Sequence, residues 1–346
     1  MTIQLDRAGR ELVARHGKWW QRQENLHMVG QGQPLGDLWL PLADGTVATE
    51  DIMVTPEILD VERLVGEPLE PGALEVHGDR FAVRAPYGRI PWVEAILGCP
   101  IHAQIQGGSM RAQSSVREWA EWENRPVHRS DEWFNLMMHL IETMAARSGG
   151  RYAIVQPTMR GPTDLAEAVL GPQMMCLSMY DPPDRLRAFL EEVTDVFIEV
   201  LHAQLARFPQ VDGGYVSAYG VWAPGSVVRT QCDASAILSP RQYAEWFMPY
   251  DERICRSVDV ALMHLHSTSL HTIDVLLEMD ALDAFEITME TSAGAPTLQQ
   301  MVPVFRKILA KKALILYGPL SEDEEQYLLR ELPHDGLFIN ARRLPW

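Results

Sequence analysis

The sequence has few cysteines and no long apolar run. Its four cysteines, Cys99, Cys176, Cys232 and Cys255, are far apart and include no Cys-x-x-Cys pair, so neither disulfide staples nor a cysteine nucleophile is expected. No apolar run approaches the roughly 20 residues that a membrane-spanning helix needs, and the start of the chain lacks the apolar stretch of a signal peptide. We therefore expect a cytoplasmic protein with reduced thiols and no membrane partner.

Basic residues are also scarce. The chain has 30 Lys and Arg against 47 Asp and Glu, a net charge of −17, so a nucleic acid would meet a field of the wrong sign and is not an expected partner. The sequence contains no Gly-rich phosphate fingerprint, no Gly-x-Ser-x-Gly elbow and no His-Glu-x-x-His. Their absence argues against nucleotide-binding, serine-hydrolase and zincin functions.

From residue 150 onward, short apolar runs alternate with longer amphipathic stretches. This order of elements predicts an α/β fold with a parallel sheet. Helices are predicted where apolar residues recur at helical spacing behind an N-cap or a Pro, at residues 183–208, 239–258, 268–279, 297–311 and 321–332. The predicted strands are residues 151–156, 214–219, 258–266, 282–288, 313–317 and 336–340.

Two more candidate strands, residues 74–83 and 101–106, bring the number to eight. Eight strands would close the sheet into a (β/α)8 TIM barrel over residues 71–346; an open doubly wound sheet is the alternative. Residues 1–70 do not follow the repeat, because a helical stretch there is followed by a segment rich in Gly, Pro and Asp. We predict that they form an N-terminal helical and loop extension packed on the barrel.

Two histidines give the strongest chemical signal. Active sites of such barrels lie at the carboxyl ends of the strands, and a spacing of two on a strand places His264 and His266 on the same face. With Glu286 from the next strand they would supply three ligands to a catalytic zinc ion. The alternative is that one histidine is a hydrogen-bonded general acid or substrate donor and the other packs between strand and helix.

Other strand ends and loops also carry candidate residues. Arg160 lies beside a helix N-terminus at Asp164 and could bind an anion, although Asp164 could equally be a capping or salt-bridge residue. Residues 220–233 are predicted to form a long loop, in which Trp222 could stack on a flat ligand or simply cover the barrel mouth. The predicted catalytic residues are Asp233, His264 and Tyr219, and the predicted substrate-binding residues are Gln156, Arg160, Trp222, Arg229 and Tyr317.

Several segments resemble a known family. Residues 161–165, 233–254 and 264–282 are similar to the uroporphyrinogen decarboxylase superfamily, and the resemblance extends over roughly residues 85–340. The block from Leu238-Ser239-Pro240 to Pro249-Tyr250 is the most specific match. The resemblance implies a (β/α)8 barrel with one of two chemistries. One is cofactor-free decarboxylation of the acetate arms of a porphyrinogen, and the other is zinc-dependent methyl transfer between a corrinoid protein and a thiol or other methyl carrier.

The sequence departs from both branches of this superfamily. The decarboxylases have an N-terminal arginine motif that residues 6–10 and 15–23 barely match. The methyltransferases carry His-x-Cys and a distal Cys; here His264 matches the histidine, His266 stands at the cysteine position, and residues 336–343 contain no cysteine. Because imidazole and carboxylate are also good zinc ligands, the sequence is compatible with a zinc site even without the two cysteines.

The position of the His-x-His pair decides the order of the functional hypotheses. The first is metal-assisted methyl transfer between a small substrate and a corrinoid protein. The second is decarboxylation of a porphyrinogen or smaller carboxylate, with Asp233, Tyr219 and His264 orienting the substrate and donating the proton. The third is a ligand-binding barrel without catalysis. The sequence leaves the substrate and the oligomeric state open.

Overall fold

The structure is a computed structural model that describes residues 2–31, 36–125, 129–290 and 294–343. The strands are β1 (Thr2–Ile3), β2 (Leu26–Gln31), β3 (Ile52–Val54), β4 (Val76–His77), β5 (Arg80–Phe81), β6 (Val83–Arg84), β7 (Ile101–Gln104), β8 (Ser109–Ala112), β9 (Ala153–Ile154), β10 (Gln210–Val211), β11 (Tyr215–Val216), β12 (Trp222–Ala223), β13 (Val227–Gln231), β14 (Val260–His266), β15 (Ala284–Thr288), β16 (Ala313–Pro319) and β17 (Leu337–Arg343).

The α-helices are α1 (Arg7–Trp20), α2 (Val61–Val65), α3 (Trp92–Ile96), α4 (Trp119–Glu123), α5 (Asp131–Arg147), α6 (Pro162–Leu170), α7 (Pro172–Ser178), α8 (Pro183–Leu205), α9 (Pro240–Trp246), α10 (Met248–Cys255), α11 (Ile273–Leu276), α12 (Leu298–Lys311) and α13 (Glu322–Glu331). Short 3-10 helices span Pro56–Ile58, Asp233–Ile237 and Ser267–Thr272. Within the described residues, no helix is both long and apolar enough to cross a bilayer.

Local sequence signals account for most of the predicted helices. Capping boxes begin α9, α12 and α13, where Ser239, Thr297 and Ser321 each accept a hydrogen bond from the backbone three residues on. The predicted helix over residues 239–258 is interrupted at Phe247, where α9 ends and α10 begins. Pro249 explains the break, because it has no N–H to donate to the preceding turn.

The described residues form two compact units. Unit 1 comprises Met1–Pro34, Ala73–Val83 and Gln210–Trp346, and unit 2 comprises Leu35–Gly72 and Arg84–Pro209. One boundary between the units falls between Gly72 and Ala73, close to the predicted border at residue 70, while the first strands and helix of the chain cluster with its last third. The first half of the predicted N-terminal segment therefore belongs to unit 1, and its second half belongs to unit 2.

Unit 1 is built on a parallel sheet. Six strands run in the order β13-β14-β15-β16-β17-β2, and neighbouring strands are parallel throughout. Apolar side chains from every strand of this sheet join one core cluster, which includes Trp19, Leu26, Val227, Leu262, Ala284, Ile315 and Phe338. The α/β class with a parallel sheet and the predicted strands at β14, β15, β16 and β17 are confirmed.

Two strands of this sheet were not predicted. β13 lies in the segment predicted as a long loop, because Arg229, Thr230 and Gln231 interrupt its apolar pattern although all three are buried. β2 lies in the segment predicted as an extension, and its residues Leu26–Gln31 alternate partly buried and exposed positions beside β17. The segment predicted as an extension therefore contributes one strand to this sheet.

Three predicted strands occupy other places. Residues 74–83 form the antiparallel hairpin β4-β5, which turns at Gly78 with a positive φ of 60°. Residues 214–219 contain β11, which pairs with β12 in a second antiparallel hairpin. Residues 101–106 contain β7, the central strand of an antiparallel sheet in unit 2. Turn-forming glycines close to these runs make local antiparallel pairing available, so their apolar pattern did not specify the parallel sheet.

Unit 2 combines this antiparallel sheet with the two longest described helices, α5 and α8. Its strands follow the order β3-β7-β8. Helix α3 is buried along its whole length, with Trp92 packed edge-on against Trp133 of α5. The long helix α8 presents Phe189 to Trp122 of α4. The predicted strand over residues 151–156 is reduced to β9, two residues long.

Candidate functional site

Three potential metal ligands converge at the carboxyl ends of β13 and β14. His264 and His266 lie two residues apart at the end of β14, so the alternation of the strand places them on one face, as predicted. Asp233 opens the 3-10 helix that follows β13. Ligand atoms of Asp233, His264 and His266 all lie within 4.8 Å of one another. His264 Nε2 is 3.8 Å from Asp233 Oδ1, and His266 Nε2 is 3.6 Å from Asp233 Oδ2.

Each histidine is held by a carboxylate on its other ring nitrogen. Parallel pairing of β14 with β15 sets Glu286 beside His264, and Glu286 Oε2 is hydrogen-bonded to His264 Nδ1. Glu290 is bonded in the same way to His266 Nδ1. Because a carboxylate accepts hydrogen bonds, each Nδ1 carries the proton, and a neutral ring then presents the lone pair of Nε2 toward Asp233. This pairing of carboxylate and histidine is the arrangement that orients zinc-binding imidazoles.

Glu286 therefore has a different place from the predicted one. Glu286 is fully buried. Its carboxylate accepts a hydrogen bond from Tyr219 OH at 2.6 Å and another from Thr288 Oγ1 at 2.8 Å. Burial alone would raise the pKa of Glu286, but His264, Tyr219 and Arg229 together hold it below its ordinary value. Within the described residues Glu286 is not part of the converging group. The carboxylate that faces Nε2 of both histidines is that of Asp233.

A second hydrogen-bonded chain supports Asp233. The Arg229 guanidinium donates to Gln231 Oε1 and, through Nε, to Tyr219 OH at 3.3 Å. Gln231 Nε2 in turn donates to Asp233 Oδ2 at 2.7 Å. Arg229 and Gln231 are two residues apart on β13 and therefore share a face of the strand. The predicted site did not include Gln231; the period-two spacing of Arg229, Gln231 and Asp233 was the signal that could have identified it.

Arg229 was predicted to bind substrate, but the structure gives it another role. Its side chain is buried, with 7% of the residue exposed, and it is engaged by Tyr219 and Gln231. Tyr219, predicted as catalytic, likewise lies behind the histidines, where it bridges Arg229 and Glu286. Both residues position the groups that converge at the strand ends.

The electrostatics assign different charge states to the two histidines. Burial lowers the pKa of His264, and the positive charge of Arg229 lowers it further. The Asp233 carboxylate, 3.6 Å from His266 Nε2, raises the pKa of His266 to about 9, and Glu290 adds to the effect. Burial would raise the pKa of Asp233, but His266, His264 and Arg229 outweigh it, and the pKa is lowered. In the metal-free protein at neutral pH, His264 is neutral, His266 is protonated and Asp233 is ionised.

Two further predicted residues of unit 1 lie in different surroundings. Trp222 belongs to the β11-β12 hairpin, where its indole N–H donates to the carbonyl of Val211 at 2.6 Å. Its polar atom is therefore bonded within the chain, and stacking of its ring on a ligand stays a prediction. Tyr317, near the end of β16, has its ring 6.1 Å from that of Tyr219 and lies beneath the guanidinium of Arg342.

The remaining predicted residues belong to unit 2. Gln156 is buried there. Arg160 forms an ion pair with Glu94 at 3.1 Å, and Glu94 is fully buried. Asp164 is buried in the first turn of α6, whose N-cap is Gly161. Arg160 therefore has a carboxylate partner within the chain, and its part in substrate binding stays a prediction.

No protein-family model matches the sequence, and the search of curated proteins gave no match. Among solved structures, the chain is similar to a methyltransferase from Methanosarcina mazei, with a TM-score of 0.54 and 12% identity over 73% of this chain and 72% of that one. A B12-independent methionine synthase from Shewanella sp. W3-18-1 gives a TM-score of 0.40 and 10% identity over 60% of this chain and 59% of that one.

The likeness to the methyltransferase establishes the fold. The predicted TIM-barrel class is confirmed, although the described parallel sheet contains six strands and no closed ring of eight. This fold fits the resemblance of residues 161–165, 233–254 and 264–282 to the uroporphyrinogen decarboxylase superfamily.

Proposed function

We propose that this protein is a metal-assisted methyltransferase in which His264, His266 and Asp233 hold a zinc ion. The observation that carries the proposal is the convergence of three ligand atoms within 4.8 Å, with a carboxylate on the outer nitrogen of each histidine. Three protein ligands leave one position of a tetrahedral zinc ion open, which is the usual arrangement in catalytic sites. The fold shared with a methyltransferase supports the same class of reaction.

The residues present fit a divalent metal. Asp233 Oδ1 is buried and has no hydrogen-bond partner among the described residues, a costly state for a carboxylate oxygen. It faces His264 Nε2, the ring nitrogen that Glu286 leaves without a proton. Two imidazoles and a carboxylate form a donor set that zinc accepts readily. Protonated His266 must lose its proton before it can bind, so metal binding is expected to release a proton.

When bound, zinc would supply a Lewis acid that stabilises a thiolate or alkoxide at neutral pH. The chain's own residues prepare for this. Glu286 and Glu290 fix the orientation of the two imidazole rings, and the chain from Arg229 through Gln231 holds Asp233 in place. Tyr219 connects the Glu286–His264 pair to the chain that begins at Arg229, since its hydroxyl accepts a hydrogen bond from Arg229 and donates one to Glu286.

The proposal includes a small methylated substrate and, as the family resemblance implies, a corrinoid protein as the other partner in methyl transfer. The approach to the ligands lies through the side chains that remain partly exposed. About a third of the Asp233 and His266 side chains is accessible, whereas His264 and Glu286 are buried behind them. The accessible side of the proposed zinc site is therefore that of Asp233 and His266.

A second candidate is decarboxylation without a cofactor. Asp233 and His266 are partly exposed and 3.6 Å apart, so in a metal-free protein they could orient a substrate and return a proton to the carbanion left by loss of CO2. The same residues would then act as an acid and a carboxylate instead of as ligands. Metal content separates the two candidates, since only the first requires zinc.

The test is elemental analysis of protein purified without chelator and supplemented with zinc. We expect about one zinc per chain, lost in His266→Ala and in Asp233→Asn, because two remaining ligands are too few. His139→Ala is the matched control, since His139 is exposed on α5 of unit 2, and it should retain the metal. Methyl transfer from methylcobalamin to a small thiol, followed by absorbance, should then depend on zinc.

Less than a tenth of an equivalent of zinc in the unmutated protein would contradict the metal centre. Release of CO2 from a carboxylate substrate by metal-free protein would favour the second candidate. If zinc binds but neither reaction is catalysed, a ligand-binding barrel becomes the better description.

A further inference from the structure

Two arginines of unit 1 lack acidic partners in a chain that is rich in acid. Within the described residues, the side chains of Arg80 and Arg342 form no hydrogen bond and no ion pair, and Arg80 Nε is buried without a partner. Three other arginines of the same unit are paired with carboxylates, Arg15 with Asp79, Arg306 with Glu331 and Arg343 with Glu325, while Arg10 and Arg22 donate to backbone carbonyls. With 47 acidic against 30 basic residues, two unpaired guanidiniums call for an explanation.

Both arginines lie close to residues that line the strand ends. The Arg342 guanidinium carbon is 4.2 Å from the centre of the Tyr317 ring, and Tyr317 is packed edge-on against Tyr219. Phe81 N donates to Gly220 O at 2.9 Å, and a Cβ placed on Gly220 would lie 2.9 Å from Arg80 Cβ. Arg80 therefore sits against the residue that follows Tyr219, and Arg342 against the ring that Tyr219 contacts.

The two guanidiniums also act on each other. Burial lowers the pKa of Arg80, and the positive charge of Arg342 lowers it further, while Tyr317 acts in the opposite direction. Two like charges near one another, one of them with a buried and unpartnered N–H, are unfavourable unless an anion joins them. A guanidinium presents its donors in a planar fork that matches the two oxygens of an oxyanion.

We propose that Arg80 and Arg342 bind an oxyanion group of the substrate, a carboxylate, phosphate or sulfonate, with Tyr317 as the floor of the subsite. The inference rests on the proposed function in one respect: it makes the substrate of the His264 and His266 centre an anionic molecule. Strands β14, β16 and β17 are parallel and end at the same edge of the sheet. Arg342 near the end of β17 and the two histidines at the end of β14 therefore lie along one edge. Arg80 and Arg342 hold the anionic group of the substrate at one part of this edge, while its reacting group lies at the His264 and His266 centre.

The test measures anion binding separately from metal binding. Malonate, inorganic phosphate and methanesulfonate are titrated calorimetrically into chelator-treated protein at matched ionic strength. The variants are Arg80→Gln, Arg342→Gln, the double variant and Arg342→Lys. Arg330→Gln is the matched control, because Arg330 also lies over a tyrosine ring, Tyr327, at 5.5 Å but is exposed on α13. Circular dichroism confirms that each variant is folded.

We expect at least one of the three anions to bind with a millimolar Kd, and the anion that binds best identifies the oxyanion class. Affinity should fall by about tenfold or more in the double variant, fall less in Arg342→Lys, which keeps the charge but loses the fork, and stay unchanged in Arg330→Gln. No binding of any anion to the unmutated protein, or equal binding by the double variant, would overturn the proposal.

Failure of this proposal is distinguishable from failure of the metal centre. His266→Ala should bind the anion as the unmutated metal-free protein does, because the ion-pair partners of the His266 ring among the described residues are Glu290 and Asp233. A protein that binds the anion but not zinc retains the subsite and loses the metal-assisted function. A protein that binds zinc but no anion shows the reverse.

Discussion

Glu286 and Asp251 are both fully buried carboxylates of unit 1, yet their pKa values shift in opposite directions. The pKa of Glu286 is lowered, whereas that of Asp251 is raised to about 7. Burial is the largest influence on both pKa values, and by itself it would raise each of them. The difference lies in their partners: Glu286 is bonded to His264, Tyr219 and Thr288, while Asp251 has only the hydroxyl of Tyr243, at 2.8 Å.

The comparison separates burial from charge compensation. Glu286 has a cation, Arg229, among the groups that lower its pKa, and it stays ionised in the interior. Asp251 has no such cation, and its Oδ1 finds no partner among the described residues. Glu286 is thus built to remain an anion that orients His264, and Asp251 is a buried carboxyl that favours its neutral form. The following predictions test this distinction, beginning with the largest effect.

Replacing Glu286 with Ala should destabilise the protein most. The change removes one of the two carboxylates whose negative charge acts on Arg229, the other being Asp233, and leaves His264 Nδ1 without its acceptor. Removing one partner from a buried group of charges typically costs about 3–5 kcal/mol. The free energy of unfolding, measured by urea denaturation, checks this loss. Glu290→Ala is the control, because Glu290 is partly exposed and partly exposed pairs contribute about 1 kcal/mol or less. Equal losses in the two variants would refute the compensated role of Glu286.

Replacing Asp251 with Asn should change how stability depends on pH. Because the pKa of Asp251 is raised in the folded state to about 7 from about 3.9 in the unfolded chain, its stabilising contribution is complete below that lower value. It is lost as pH rises through about 7, at a cost of a few kcal/mol. The Asn variant keeps an acceptor for Tyr243 and cannot ionise. As pH rises from 5 to 8, its melting temperature should therefore increase relative to that of the unmutated protein.

Parallel melting curves for the two proteins over this pH range would show that Asp251 does not titrate in the folded state as stated. The same comparison made with Asp259→Asn supplies a control, since Asp259 is exposed and its pKa is lowered by hydrogen bonds from Ser226. That variant should not gain stability between pH 5 and pH 8.

Replacing Tyr219 with Phe should have the smallest effect. The substitution removes one donor from Glu286 but leaves His264 and Thr288 in place. A hydrogen bond to a charged group contributes about 1.5–3 kcal/mol, so we expect a loss near the lower value by urea denaturation, with zinc binding retained. A loss as large as that in Glu286→Ala would mean that Tyr219, rather than His264 and Arg229, keeps Glu286 ionised.

The sequence by itself determined the elements that rest on local pattern. Apolar runs identified β14, β15, β16 and β17 because a strand covered on both faces must be apolar nearly throughout. The capping boxes at Thr297 and Ser321 identified the starts of α12 and α13. The spacing of His264 and His266 was enough to place both imidazoles on one face, since side chains alternate along any strand.

Only the tertiary structure decided which carboxylate faces which nitrogen of those histidines. Local sequence pattern does not specify which strands pair. Strand β13 was not predicted because Arg229, Thr230 and Gln231 are polar residues, and their burial follows only from the neighbouring strands of the sheet. The register of β14 against β15 sets Glu286 at Nδ1 of His264, and the end of β13 brings Asp233 to the opposite nitrogen. A ligand set depends on distances between residues remote in sequence, and the packing of neighbouring strands fixes those distances.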